Sequence, residues 1–231
     1  MKVLAFDTSS EVLSAGLFDG DSRIGEIEQP LFTRHSSTLA PTLDALLKSR
    51  RMAVDDVDLI AVGLGPGSFT GLRVGVTTAK VLAYASEKKL VGILSFEAMA
   101  AVAPQTEGWI VTVGDAKKEK LYAAIFERRK GKLELLAKPF LTGIDEVLKQ
   151  IKKPAIFLGE SALPYRGKIE NFKKFACRVL DEKETRHPKA QGVARLALER
   201  AGHKKFSDPF GLEPFYVHPR DCNVVRGGSK P

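Results

Sequence analysis

One short pattern occurs twice in this chain and restricts the fold more than any other feature. Phe6-Asp-Thr-Ser-Ser-Glu-Val-Leu-Ser-Ala-Gly-Leu-Phe18 is matched without gaps by Gly114-Asp-Ala-Lys-Lys-Glu-Lys-Leu-Tyr-Ala-Ala-Ile-Phe126. Asp7 falls on Asp115, Glu11 on Glu119, Leu13 on Leu121, Ala15 on Ala123 and Phe18 on Phe126. Each copy predicts a strand, an Asp, a polar turn and a second strand. The same order of elements follows each copy. After the first hairpin (strands 2–7 and 12–18) come a strand at 23–28, a helix at 35–51, a strand at 59–62 and a helix at 70–88. After the second come a strand at 132–136, a helix at 143–151, a strand at 155–159 and a helix at 161–171. A strand at 91–94 and a helix to about 103, with Ser95 as its cap, close the first unit. The chain is therefore expected to be α/β, with two lobes of βββαβα type, each a mixed sheet flanked by helices. The first lobe spans 1–104 and the second 105–189. A helix at 190–202 and a proline-bearing apolar extension return to complete the first lobe (190–220), and 221–231 is a mobile tail.

Between the 59–62 strand and the next helix lies Gly63-Leu-Gly-Pro-Gly-Ser-Phe-Thr-Gly-Leu-Arg73. Glycines and a proline at this density make a tight strand-to-helix crossover, with Ser68 or Thr70 able to cap the helix. Free N–H groups there could hold an anion. The block is neither a Walker A loop, since no Lys-Ser/Thr pair follows, nor G-x-G-x-x-G. Nor is it G-x-S-x-G, and no base is positioned by sequence for Ser68, which argues against a serine hydrolase.

The 231 residues carry a net charge of +8, which favours acidic partners, nucleic acid among them, or serves solubility. No apolar run is long enough to span a membrane. Met1 leads directly to Asp7 without a leader-like apolar segment, and Cys177 and Cys222 are too few and far apart for a disulfide framework. A cytoplasmic protein in a reducing compartment is expected.

Two lobes that each open on a strand-Asp-turn-strand hairpin resemble the actin/sugar-kinase/Hsp70 superfamily, whose lobes are actin-like (RNase H-like). Val3-Leu-Ala-Phe-Asp-Thr-Ser-Ser10, Gly65-Pro-Gly-Ser-Phe-Thr-Gly-Leu-Arg-Val-Gly75 and Pro214-Phe-Tyr-Val together resemble, more closely, the bacterial TsaB (YeaZ) family. The resemblance implies a non-catalytic scaffold and dimerisation subunit. Its partners would be a TsaD-type paralogue and a TsaE-type ATPase, in threonylcarbamoylation of tRNA adenosine 37 at N6. It also implies a homodimer when alone, tRNA contact that is indirect or weak, and no membrane. No cofactor is expected on this chain alone; ATP or ADP belongs at the level of the complex.

The candidate site residues follow from these readings. Leu39, Leu43, Leu46 and Leu47 make one face of the first helix, with Pro41 tolerated in its first turns. On the second, Gly71, Gly75, Ala79 and Ala83 place a small residue at every fourth position, flanked by Leu72, Val76 and Leu82. Such a face suits close approach of another helix, or of the chain's own sheet. The resemblance favours the partner helix for part of it, together with the four leucines. Arg73 sits in the first turn, where the helix dipole disfavours a cation, which suggests pairing with a carboxylate or holding the crossover loop; the blander alternative is a simply solvated side chain. Asp7, Thr8, Ser9 and Asp115 are candidates for nucleotide contact across a cleft. Asp7 reads equally as the cap of its own turn, and Asp115-Ala-Lys-Lys lacks small residues for phosphate approach. An ATP-hydrolysing, kinase-like enzyme is the alternative function. No metal site is expected: a helical His pair needs i, i+4 spacing, but Leu39 stands four residues after His35, and His187, His203 and His218 lie in unrelated contexts.

Overall fold

The computed structural model describes residues 1–31, 35–104 and 107–217, without the side chains of 35–37 and 184. The expected 221–231 tail, Cys222 and His218 lie outside the described residues, as does the side chain of His35. In the first lobe, β1 (Lys2–Asp7), β2 (Val12–Asp19) and β3 (Ser22–Pro30) form an antiparallel meander, and β4 (Leu59–Gly63) and β5 (Lys89–Ile93) add in parallel to the other side of β1. The strand order is β3-β2-β1-β4-β5. In the second, β6 (Gly108–Asp115), β7 (Leu121–Arg129) and β8 (Lys132–Thr142) are the meander, and β9 (Ala155–Leu158) and β10 (Cys177–Val179) the parallel pair. The order β10-β9-β6-β7-β8 reproduces the first sheet. The expected two mixed sheets flanked by helices are present.

The repeat holds at the level of fold with one correction. Phe6 pairs with Ala15 and Asp7 with Ser14, whereas Val113 pairs with Ala123 and Gly114 with Tyr122. With Ala15 laid on Ala123, Asp7 therefore falls on Gly114, and the second turn is one residue longer than the first. Because side chains alternate faces, that one residue decides where the carboxylate points. A gapless alignment cannot register it.

Helices α1 (His35–Ser49) and α2 (Phe69–Ala85) lie side by side on one face of the first sheet. Their apolar residues join Leu4, Phe6, Leu13, Ala15 and Leu17 in one core. The opposite face is covered by α3 (Ser95–Val102) and α7 (Ala190–Gly202), so the chain's last helix packs on its first sheet. The second sheet packs α4 (Ile144–Gln150) and α5 (Arg166–Glu170) on one face. On its other face it receives Phe96, Met99 and Ala100 of α3. The helix expected over 161–171 starts instead as a 3₁₀ segment, Glu160–Tyr165, because Pro164 cannot donate to an α-helical ladder. The short β10 and α6 (Lys183–Arg186) carry too few periodic residues to be read from sequence.

Candidate functional site

The β1–β2 turn and the glycine crossover are built into each other. The crossover enters α2 through Ser68, whose Oγ accepts from the Gly71 N–H at 3.2 Å; Thr70 has no part in this cap. The Ser68 N–H donates to the Ser9 carbonyl at 2.7 Å, and Thr8 Oγ1 donates to the Gly71 carbonyl at 2.7 Å. A Cβ on Gly67 would run into the Ser9 carbonyl oxygen, one on Gly71 into the Thr8 carbonyl oxygen and one on Gly75 into Thr8 Oγ1, all far inside 3.0 Å. The N-terminal half of the small face of α2, Gly71 and Gly75, is therefore occupied by the chain's own first turn, and Ala79 and Ala83 lie in the lobe's apolar core.

Most of the residues named for the partner interface are turned into the chain itself. Gly71, Leu72, Gly75, Val76, Ala79 and Ala83 are buried, and so are Leu39, Leu43, Leu46 and Leu47. In this fold they are core. Only Arg73, which is exposed, and Leu82, half-buried against the core, remain accessible among the residues named for that interface. The physical reason is general: helical periodicity finds the apolar stripe, and in an α/β lobe that stripe packs on the sheet.

Asp7 is fully buried. Its Oδ1 accepts from the Ser9 N–H at 2.7 Å and from Ser9 Oγ at 2.6 Å; its Oδ2 accepts from Ser95 Oγ at 2.5 Å. Ser95 Oγ also accepts from the Gly65 N–H at 2.9 Å, so this side chain is no helix cap but a tie between crossover and turn. Burial pushes the Asp7 carboxyl up from its ordinary value, and the bonds from Ser9 and Ser95 offset part of that rise. Asp115 is the opposite case. Its carboxylate is half exposed, accepts from the Lys117 N–H at 2.7 Å and pairs with Lys117 Nζ at 2.8 Å. Lys117 holds its pKa down and has its own raised in return. The two aspartates thus stand in unlike settings, one a buried carboxyl within its own turn and the other a surface turn cap.

The accessible face of α2 was not found by sequence reasoning. Phe69, Arg73, Thr77, Val81 and Tyr84 are all exposed and run down one side of the helix. Fifteen helical steps from Phe69 to Tyr84 make this a stripe of about 22 Å. Phe69, Val81 and Tyr84 are 55%, 59% and 65% exposed, large values for apolar side chains in a folded lobe. Residues 207–217 lie alongside and widen the stripe. The Ser207 N–H donates to the Leu90 carbonyl at 2.7 Å and the Phe215 N–H to that of Leu64 at 2.8 Å. Lys80 Nζ donates to the carbonyls of Phe210 and Leu212, each at 3.1 Å. The segment presents Phe210, 74% exposed, edge-on to Tyr84 at 5.2 Å, and Tyr216 against Phe69 at 5.3 Å. The Arg73 guanidinium lies 4.0 Å over the Phe69 ring, and its Nε–H donates to the Tyr216 hydroxyl at 3.3 Å. So Arg73 fastens the C-terminal segment and meets no carboxylate among the described residues. Alternating exposed positions 69, 73, 77, 81 and 84 carried the signal in the sequence. The rule that apolar residues turn inward hid it.

Among the described residues no group of three or more His, Cys, Asp or Glu is arranged to hold a metal. His187 Nε2 lies 3.1 Å from Glu160 Oε2, away from both hairpin turns in sequence. No described helix is long and apolar enough to cross a membrane.

Two lobes of one topology, each a five-stranded mixed sheet opening on a β-hairpin, define an actin-like protein. The family model of TsaD, tRNA N6-adenosine threonylcarbamoyltransferase, matches residues 31–207. The tRNA threonylcarbamoyladenosine biosynthesis protein TsaB of Bacillus subtilis is 31% identical over 94% of both chains. That of Escherichia coli is 26% identical over 94% of both. The solved structure of YeaZ from Pseudomonas aeruginosa has the same fold, with a TM-score of 0.77 at 20% identity over 93% of this chain and 99% of that one. The chain belongs to the TsaB (YeaZ) family of tRNA threonylcarbamoyladenosine biosynthesis proteins.

Proposed function

We propose that this chain is a non-catalytic pairing subunit. It docks a TsaD-type paralogue, which carries the chemistry of threonylcarbamoylation of tRNA adenosine 37 at N6, and a TsaE-type ATPase joins that complex. The observation that carries the reading is the exposed apolar stripe of Phe69, Val81, Tyr84 and Phe210 around Arg73. A contiguous apolar face rimmed by polar residues is the signature of a protein interface, and aromatic and Arg side chains are the usual anchors. The adjacent accessible side of α1 (Ala40, Asp44, Ala45 and Lys48) extends it. The same stripe serves a homodimer when the paralogue is absent. The non-catalytic part of the reading is supported by the sealed Asp7 and by an Asp115 engaged with Lys117. Any nucleotide that is turned over then belongs to the complex, and tRNA contact through the pairing face is indirect or weak. The lobes divide at residues 104–105, with α7 and the C-terminal segment belonging to the first.

Light scattering on a size-exclusion column tests this, with the chain alone, mixed with the paralogue, and as the Tyr84→Asp variant. A homodimer replaced by a mixed complex, both weakened at least tenfold by the substitution at unchanged Tm, is expected. A chain that ignores the paralogue, yet releases phosphate from ATP on its own, would replace this reading with the kinase-like one.

A further inference from the structure

A cleft of about 430 Å³ opens where the two lobes meet, lined by α3, the β7–β8 turn and the C-terminal half of α7. No α2 residue lines it, so a ligand bound there would be independent of the pairing face. Its cations come from separate elements: Arg128 and Lys132 from the second lobe, Arg195 and Arg200 from α7, and Lys205 from beyond it.

Arg128 is the informative member. It is 3% exposed, and its guanidinium donates only to carbonyls: Ala100 at 2.7 Å, Ala103 at 3.0 Å and Pro104 at 2.5 Å. Among the described residues it forms no ion pair. Burial and the neighbouring charge of Arg195 both act against its own charge, and Glu107, whose carboxylate accepts from the Lys130 and Gly131 N–H groups, offsets only part of this. Arg195 spends one N–H on the Ala101 carbonyl at 3.1 Å and also lacks a carboxylate partner among the described residues. The α3 carbonyls supply part of the needed negative potential, as helix C-termini do. They do not explain Lys132 and Lys205, which line the same cleft from opposite sides, are exposed and make no ion pair among the described residues. Glu97 is committed to Arg200 at 2.7 Å. Glu134 and Glu199 line the cleft without a described cation partner.

A buried Arg in no direct ion pair among the described residues, with a second Arg and two unpaired Lys around one concavity, is the arrangement that receives a multiply charged anion. The volume lies within the range of small-molecule sites and exceeds what an inorganic ion needs. We propose that this cleft binds a phosphate-bearing ligand, with Arg195, Lys132 and Lys205 holding phosphate oxygens over Arg128, Glu134 accepting from hydroxyl or amino groups on the rest of the molecule, and Glu199 setting a like charge against the phosphate. The phosphate belongs either to a free small phosphoester or to an RNA backbone.

The test uses the full chain with three probes: pyrophosphate and ATP by calorimetry, and an unmodified transcript of tRNA length by filter binding at two salt concentrations. The variants are Lys132→Glu/Lys205→Glu, which removes no described bond, and Glu199→Gln. At least one probe should bind saturably, at least tenfold more weakly to the double variant and two- to threefold more tightly to Glu199→Gln. Loss confined to pyrophosphate and ATP identifies a small phosphoester; loss confined to the transcript, with a shallower salt dependence, identifies an RNA backbone. Should the double variant fold poorly, tightening by Glu199→Gln carries the test. Absence of saturable binding by every probe at millimolar concentration would overturn the proposal, as would binding that neither variant alters.

Discussion

Replacing Gly75 with Ala adds one methyl group between α2 and the β1–β2 turn, and its effect can be worked from the contacts. In an open helix interior the change would stabilise by about 1 kcal/mol, because Gly is the poorer helix former. Here the new Cβ meets Thr8 Oγ1 far inside van der Waals range. Overpacking a close-fitting core costs about 1–3 kcal/mol. Displacing Thr8 Oγ1 also breaks its 2.7 Å bond to the Gly71 carbonyl, worth about 1 kcal/mol. The net expectation is a loss of about 1–3 kcal/mol, and at this chain length each kcal/mol lowers Tm by about 2–4 °C. Thr8→Ala removes the obstacle. The nearest remaining Thr8 atom, its Cβ, stands at an ordinary 3.4 Å. In that background Gly75→Ala should stabilise by up to about 1 kcal/mol, a coupling of about 2–4 kcal/mol between the two positions. Gly71→Ala is the control, since its Cβ meets the Thr8 backbone oxygen, which Thr8→Ala leaves in place. Urea unfolding of the four members of the cycle measures the coupling. If Gly75→Ala is as stable as wild type, and the two changes add within about 0.5 kcal/mol, the small face of α2 does not rest on Thr8 and the packing argument is wrong.

Three further outcomes are expected. Ser95→Ala leaves both the Gly65 N–H and Asp7 Oδ2 without their shared partner; unfolding free energy should fall by about 2–3 kcal/mol, and a loss below about 0.5 kcal/mol would contradict the tie. Asp7 binds its proton more tightly folded than unfolded, so the chain loses stability as pH rises from the unfolded carboxyl value near 3.8 through the raised folded one. Asp7→Asn lacks this titration, and urea midpoints from pH 4 to pH 7 should show wild type declining relative to the variant; parallel curves would mean Asp7 is not desolvated. Arg73→Ala should loosen residues 207–217 without unfolding the lobe, read as faster limited proteolysis near Phe210 at a Tm within about 3 °C of wild type.

The sheets were legible because their signals are local. The short, near-continuous apolar runs of β1 and β2, the Gly-Pro-Gly crossover and the Leu39–Leu47 spacing each identify one element without knowledge of the rest. The repeat then supplied the topology. Where several segments meet, sequence was a poorer guide. The fate of Gly71 and Gly75 depended on what lies opposite them, and Thr8 is more than sixty residues away in the chain. Asp115 looked equivalent to Asp7 because a single added turn residue leaves composition unchanged while shifting pairing register. The exposed stripe on α2 combines a helix surface with the distant Phe210 and Tyr216, so neither segment shows it alone. Arg128 is the plainest case: nothing in Glu127-Arg-Arg-Lys130 marks which residue is buried against the end of α3.

Helix α3 has little outward side to spare, with only Glu97 and Val102 partly exposed. Ala98 and Ala101 belong to the core of the first lobe, and Phe96, Met99 and Ala100 to a core of the second. A jaw-like opening of the lobes would strip water-excluded surface from one flank of this helix or the other, and Leu158, Phe126 and Ile110 would lose their cover with it. The molecule is consequently riveted where a two-jawed machine would keep its pivot. Heating should melt both halves in a single calorimetric event, and force or ligand applied to one lobe should reach the other as a rigid push.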